Sequence, residues 1–189
     1  YGREKIVRDE TCNKEEYLCM RCGSSDRDRL IVSFLEKNGL QKAKEGAKVL
    51  QIAPAMVISN WIKSNCPHLD YHTTDLYMDN VTFKSDIQNM SMVEDNTYDL
   101  IICSHVLEHV QDDKKALAEM KRILKSDGKL VFLVPIDLEQ DFIDEEWGLS
   151  EEENWKRFGQ GDHCRTYGRI WRCCKISRET IKDKRCIEV

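Results

Sequence analysis

No apolar stretch among the 189 residues approaches the roughly 20 needed to cross a bilayer, which sets aside a membrane span. The first ten residues, Tyr1 to Glu10, are charged where a secretory leader would be apolar, so the sequence reads as cytoplasmic. A basic run is also missing: 29 Lys and Arg are interspersed with 34 Asp and Glu, for a net charge of -5. That pattern lacks the electrostatic footprint of a nucleic-acid partner. No Gly-x-Gly-x-x-Gly occurs, which removes the usual pyrophosphate cradle. Nor is there an internal repeat or low-complexity block. The nine cysteines show no framework spacing, and in the absence of a leader they read as reduced thiols.

What is present is a soluble globular balance, 41% hydrophobic and 33% charged, in a chain long enough for one α/β domain with a small appendage. Apolar spacing at Leu30, Ile31, Phe34 and Leu35 predicts a helix from Asp26 to Lys37, with Asp26 as its N-cap and Gly39 as its stop. Lys48–Ile52 has the length and composition of a strand. Pro54 then suits the start of a helix with Val57, Ile58, Trp61 and Ile62 on its apolar face, ending before Pro67. Further strands are predicted at Leu69–Thr74, Val81–Phe83 and Tyr98–Cys103. A helix follows from Val106 to Lys125, then a turn at Asp127-Gly128 and a strand at Lys129–Val134. Strands alternating with helices imply a mostly parallel sheet covered on both faces. Periodicity disappears from Asp137 to Gly168, as in a lid or binding loop. The tail, Arg169 to Val189, offers one helix (Ser177 to Lys184) and one short strand (Cys186 to Val189).

In an open parallel sheet, ligands bind beyond the carboxyl ends of the strands, near the point where strand order reverses. The residues to inspect are therefore Gln51, Ala53, Pro54 and Ala55 after the first strand, Asp75 and Leu76 after the second, Asp86 and Ile87 after the third, and Ser104 and His105 after the fourth. One carboxylate can accept from both hydroxyls of a ribose, which suits Asp75. Asp86 could accept from an adenine amino group while Ile87 packs on the ring. Each Asp could equally be a turn or cap residue. Their order along the chain favours the ligand role.

The run Asp99-Leu-Ile-Ile-Cys-Ser-His-Val-Leu-Glu-His-Val110, continued through Asp127-Gly128 to Val134-Pro135-Ile136-Asp137, resembles the class I methyltransferases. The resemblance extends to a branch of that family with a Cys-x-x-Cys-Gly-Ser knuckle and a Phe-Gly-Gln-x-Asp-His-x-Arg-x-Tyr-Gly segment, matched here by Cys19 to Ser24 and by Phe158 to Gly168. It implies a Rossmann-like fold, S-adenosylmethionine (SAM) as methyl donor with S-adenosylhomocysteine as product, and the strand-end residues above as the donor site. It divides the chain into an N-terminal knuckle and helix over 1–40 and a Rossmann-like domain over 41–189. Two departures stand out. The glycine-rich loop after the first strand is replaced by Gln51-Ile-Ala-Pro-Ala55, with no glycine to take a positive φ. The tail matches the family's last helix and hairpin poorly, so the domain reads as truncated at its C-terminal edge or completed by a partner.

Cys19 and Cys22 have the spacing of half a structural zinc site, with Cys12 a third ligand; without a fourth they form a tight turn bearing two thiols. Methyl transfer mainly needs alignment and water exclusion, and a base helps when the acceptor is a hydroxyl. His163 is the imidazole proposed for that proton, with Asp137, Arg165 and Tyr167 binding the acceptor, a small molecule or glycan. Glu108 reads as a solvated or helix-start carboxylate, and His109 as packed or solvent-facing. Two other readings compete: a nicotinamide-dependent oxidoreductase, opposed by the missing glycine loop, and a non-catalytic methyltransferase-like binding or assembly module.

Overall fold

The computed structural model describes residues 17–134, together with the backbone of two short strands beyond them. After a bridge between Leu18 and Ser25, α1 spans Asp26–Lys37, β1 Lys48–Ile52, α2 Met56–Asn65, β2 Asp70–Asp75, β3 Phe83–Lys84, β4 Tyr98–Ser104, α3 Asp113–Ile123 and β5 Leu124–Leu133. The strands form one parallel sheet in the order β3-β2-β1-β4-β5. Strand order therefore reverses between β1 and β4. The two outer pieces, β6 (Ile136–Asp137) and β7 (Phe158–Gly159), pair with each other in parallel.

β1 and β4 are continuous apolar runs because both of their faces are covered. Leu50, Ile52, Ile101 and Cys103 pack on Leu117, Met120 and Ile123 of α3. Val49, Leu100 and Ile102 face the other way, against Ile31 and Leu35 of α1 and Ile58, Trp61 and Ile62 of α2. The 3.6-residue spacing of those side chains made the helices; the packing fixes their faces. Among the described residues no helix is long and apolar enough to cross a membrane.

Three expectations change. The N-cap of α1 is Ser25, whose Oγ accepts from the Asp28 amide at 3.1 Å while Asp28 accepts from the Ser25 amide at 2.8 Å. This reciprocal capping box outcompetes Asp26 because a hydroxyl at the cap reaches the third amide. The expected helix from Val106 to Lys125 is broken. Leu107–His109 is a single 3-10 turn, Val110 is extended, and α3 starts afresh where Asp112 caps the Lys115 amide at 2.9 Å. Finally, β5 reaches back to Leu124, which pairs with Tyr98, and the register then shifts so that Lys129 pairs with Leu100. Residues 125–128 bulge opposite Asp99, and a Cβ on Gly128 would lie 2.8 Å from Leu124 Cγ and 3.0 Å from a backbone carbonyl. Asp127-Gly128 thus marks a bulge within the strand rather than a turn before it.

At the amino edge of the sheet, polar groups are matched to partners. Asp99 accepts from the Lys48 amide at 2.8 Å and from Lys125 Nζ at 2.7 Å. Desolvation pushes its carboxyl up, but the Lys125 and Lys48 hydrogen bonds and nearby positive charge outweigh that and hold it below its ordinary range. At the end of α3, Arg122 donates to Glu119, to Asp95 and to the Val93 and Met90 carbonyls, all within 2.9 Å. That fork ties the 90–95 loop to α3.

Candidate functional site

The carboxyl edge is built differently. Ala53, immediately after β1, has φ 47, and His105, immediately after β4, has φ 54. A left-handed backbone at a residue with a Cβ costs about 1–2 kcal/mol, so surrounding contacts must enforce both. The Ala53 amide donates to the Thr74 carbonyl of β2 at 2.9 Å, and the His105 amide to the Leu133 carbonyl of β5 at 2.8 Å. Each chain is therefore held to its outer neighbour as it leaves the sheet, and β1 and β4 part at the point where strand order reverses. The positive φ that seemed to require glycine is present, carried by Ala53. Pro54 and Ala55 then lead into α2, whose N-cap Ala55 offers no side-chain hydrogen bond to the first turn.

Asp75, at the end of β2, accepts from the Tyr77 and Met78 amides at 2.7 and 2.9 Å, both through Oδ1. This turn fixes the carboxylate and leaves Oδ2 without a hydrogen bond among the described residues. The same turn leaves Leu76 about half exposed. Asp86 accepts from the Gln88 amide at 2.8 Å and from its side chain at 3.2 Å. Ile87 is buried in the cluster beneath the sheet with Met90 and Leu107, so its side chain packs into the core. Gln51 is turned away from the edge. It is 2% exposed, and its Oε1 accepts from Tyr71 and from Ser59 on the α2 side. Burial pushes the Tyr71 hydroxyl up to about 12, against a smaller opposing effect of Ser59, which suits its role as a donor in that trio.

The most informative pair was only half anticipated. His105 Nδ1 lies 2.9 Å from Glu108 Oε1, and Glu108 is 3% exposed. The expectation of a solvated carboxylate is therefore corrected. The 3-10 turn at Leu107–His109 replaces the expected helix start, and Glu108 turns inward to meet His105 instead of outward. His109 is exposed. The remaining atoms of the pair, His105 Nε2 and Glu108 Oε2, are buried without a hydrogen-bond partner among the described residues, as is the hydroxyl of Thr74. Thr74 pairs with Ile52 in register at the end of β2. Thr74 was not singled out from sequence, and Glu108 was read there only as a solvated or helix-start carboxylate. Cys103 is no nucleophile: burial, then the charge of Glu108, push its thiol far above the usual range.

Cys19 and Cys22 sit in a tight turn, with the Gly23 amide donating to the Cys19 carbonyl and the Cys19 amide to the Ser24 carbonyl, each at 2.8 Å. Among the described residues no three His, Cys, Asp or Glu side chains come together as a metal site. Cys12, the expected third ligand, lies outside the described residues, as do His163, Arg165 and Tyr167 and the side chain of Asp137. The expected tail helix and strand lie outside them as well.

A family described as a methyltransferase domain matches residues 40–132, from just before β1 into β5. Residues 40–132, just under half of the chain, thus carry the methyltransferase domain that the resemblance to the class I methyltransferases implied. A thiol S-methyltransferase of Rattus norvegicus is 32% identical over 96 residues, covering 51% of this chain and 34% of that protein. A ubiquinone biosynthesis O-methyltransferase of Pasteurella multocida is 31% identical over 99 residues, covering 48% and 38%. The chain thus spans little more than a third of these curated relatives. Among solved structures, a SAM-dependent methyltransferase of Aquifex aeolicus aligns with a TM-score of 0.45 and 21% identity, over 57% of this chain and 65% of that one. The matched segment contains the carboxyl ends of β1, β2, β3 and β4.

Proposed function

We propose that this domain binds SAM in the crevice between the ends of β1 and β4 and transfers its methyl group to a small-molecule or glycan acceptor. The observation that carries the reading is the parting of those strands after Ala53 and His105, beside a carboxylate, Asp75, that is fixed through one oxygen. Bound there, SAM supplies an electrophilic methyl group on a sulfonium sulfur. Asp75 would hold the ribose diol through Oδ2, Asp86 the adenine edge, and Ala53, Pro54, Ala55 and Ser104 the walls. Among the described residues no Lys or Arg forms an ion pair with Asp75, Asp86 or Glu108. An edge with that balance favours a cationic ligand. The buried hydroxyl of Thr74, without a hydrogen-bond partner among the described residues, fits the same picture, since a pocket built for a ligand leaves polar groups waiting for it. His163, Arg165, Tyr167 and Asp137 supply acceptor-side chemistry: one cation, two groups that hydrogen-bond hydroxyls, and one carboxylate.

Calorimetric titration of the full chain tests this. SAM and S-adenosylhomocysteine are expected to bind and NADH is not, and Asp75→Ala is expected to weaken the sulfur ligands by about 10-fold or more, the loss of a charged acceptor to a diol. An intact, folded chain that binds neither sulfur ligand overturns the reading and leaves the non-catalytic module in its place.

A further inference from the structure

The geometry points to His105 as the group that removes the acceptor's proton, held in the required form by Glu108, and so to an acceptor whose nucleophilic atom is a hydroxyl or thiol. The inference rests on the methyl-transfer reading above. Glu108 is buried and lies 2.9 Å from His105 Nδ1. Since a carboxylate only accepts, this contact places the imidazole proton on Nδ1 and leaves Nε2 with a bare lone pair. Nε2 is then an acceptor, and it is buried without a donor among the described residues. The partner it lacks must bring a proton. A buried acceptor without a donor is destabilising, and the pair sits on a backbone already held left-handed at His105. Two independent penalties converge on one imidazole at the strand-order reversal, where the fold puts its ligand.

The step balances with these groups alone. As the acceptor oxygen or sulfur uses an electron pair to bond the methyl carbon, its proton passes to His105 Nε2, and the electron pair of the cleaved carbon–sulfur bond stays on the donor's sulfur. His105 becomes an imidazolium facing the Glu108 carboxylate, which stabilises the charge as it forms. Solvent recovers the proton after product leaves. Glu108 is a positioning residue in this scheme because it acts through His105. The scheme moves to His105 the proton transfer that the sequence suggested for His163, leaving His163 as a binding group.

The test uses the full chain and has a readout apart from turnover. Nitrogen NMR of the neutral imidazole is expected to show His105 protonated on Nδ1 and bare at Nε2, with Glu108→Gln mixing the tautomers. Affinity for S-adenosylhomocysteine is expected to change less than about threefold in His105→Asn and Glu108→Gln. With 2-mercaptoethanol and phenol as acceptor probes, His105→Asn is expected to lower turnover about 100-fold or more, and His163→Ala to raise the acceptor KM instead. Three results overturn the inference: a proton on Nε2 in the free protein, collapse of S-adenosylhomocysteine affinity in His105→Asn, or turnover that survives that substitution. If the wild-type chain does not bind S-adenosylhomocysteine, the methyl-transfer reading itself fails and takes this inference with it. Normal binding with a protonated Nε2 sinks the inference alone.

Discussion

The two edges of the same sheet obey opposite rules. At the amino edge, Asp99 has two donors, Arg122 binds four partners, and the buried Tyr98 hydroxyl, raised to about 12 by desolvation and then by the charge of Asp70, is hydrogen-bonded to His72 at 3.0 Å. At the carboxyl edge, Thr74, His105 and Glu108 each keep a buried polar atom without a partner among the described residues, and two residues with side chains take a positive φ. The contrast has exceptions, since the buried His68 Nε2 before β2 also lacks a partner and Asn96 at the amino edge has φ 53. Asn tolerates that backbone far better than Ala. Satisfied groups stabilise the fold, whereas strained and unsatisfied ones are retained where a ligand completes them.

The largest expected effect breaks the amino edge. Arg122→Met keeps an aliphatic stem along α3 but removes every donor, leaving Glu119 and the Met90 and Val93 carbonyls without their partner. Removing several charge-assisted bonds from a partly buried network is expected to destabilise the protein by about 2–4 kcal/mol in urea titration. S-adenosylhomocysteine affinity is expected to stay unchanged. The same network sets an acid dependence: the Arg122 hydrogen bond, opposed by desolvation and aided by the Met90 amide, holds the Glu119 carboxyl below its ordinary 4.5. A lowered folded value means that this contribution is fully present above the unfolded pKa and lost as pH falls through the folded one. Arg122→Met should therefore flatten stability against pH below about 4.5. A stability loss accompanied by lost ligand affinity would show that the edges are coupled and the contrast is false.

The second effect sharpens the contrast from the other side. Thr74 is fully buried with an unmatched hydroxyl, and Thr74→Val replaces it with a methyl of similar size. Removing an unsatisfied buried polar group is expected to stabilise the free protein by about 1 kcal/mol. Denaturant midpoints at constant slope check this. A net loss of stability would mean that the hydroxyl already has a partner, and the carboxyl edge would then resemble the other.

How far this asymmetry was legible in the sequence depends on which force made each feature. The largely apolar runs at Lys48–Ile52 and Tyr98–Cys103 announced buried parallel strands, because burial of both faces leaves few polar positions. The Asp75 position followed from them, since a strand end in this topology is a ligand position. The Glu108 burial did not follow. Leu107, Val110 and Leu117 fit a continuous helical stripe, and only the competing cap at Asp112 breaks that helix and converts its first turn to 3-10. The decisive signal was present as His105 and Glu108 three residues apart, but spacing alone does not choose between the two helix types. The backbone at Ala53 was hidden for a similar reason: the absence of glycine predicted no left-handed residue, whereas the bond from its amide to the Thr74 carbonyl of β2 accompanies one.

The smallest expected effect tests that imposed strain. At Ala53, glycine removes the Cβ that makes φ 47 unfavourable, worth about 1–2 kcal/mol, but it adds unfolded-chain entropy of about 0.5–1 kcal/mol. Ala53→Gly is therefore expected to stabilise the protein by only about 0.5 kcal/mol, read as a small rise in denaturation midpoint. Asn96→Gly, at the amino edge, has less strain to relieve and the same entropy to lose, so it is expected to be neutral or slightly destabilising. The sign of the difference between these two substitutions is more telling than either value, because errors common to both cancel. If Asn96→Gly stabilises as much as Ala53→Gly, the left-handed backbone beside β1 carries no special strain. The parting of β1 and β4 would then rest on the ladder bonds to Thr74 and Leu133 alone.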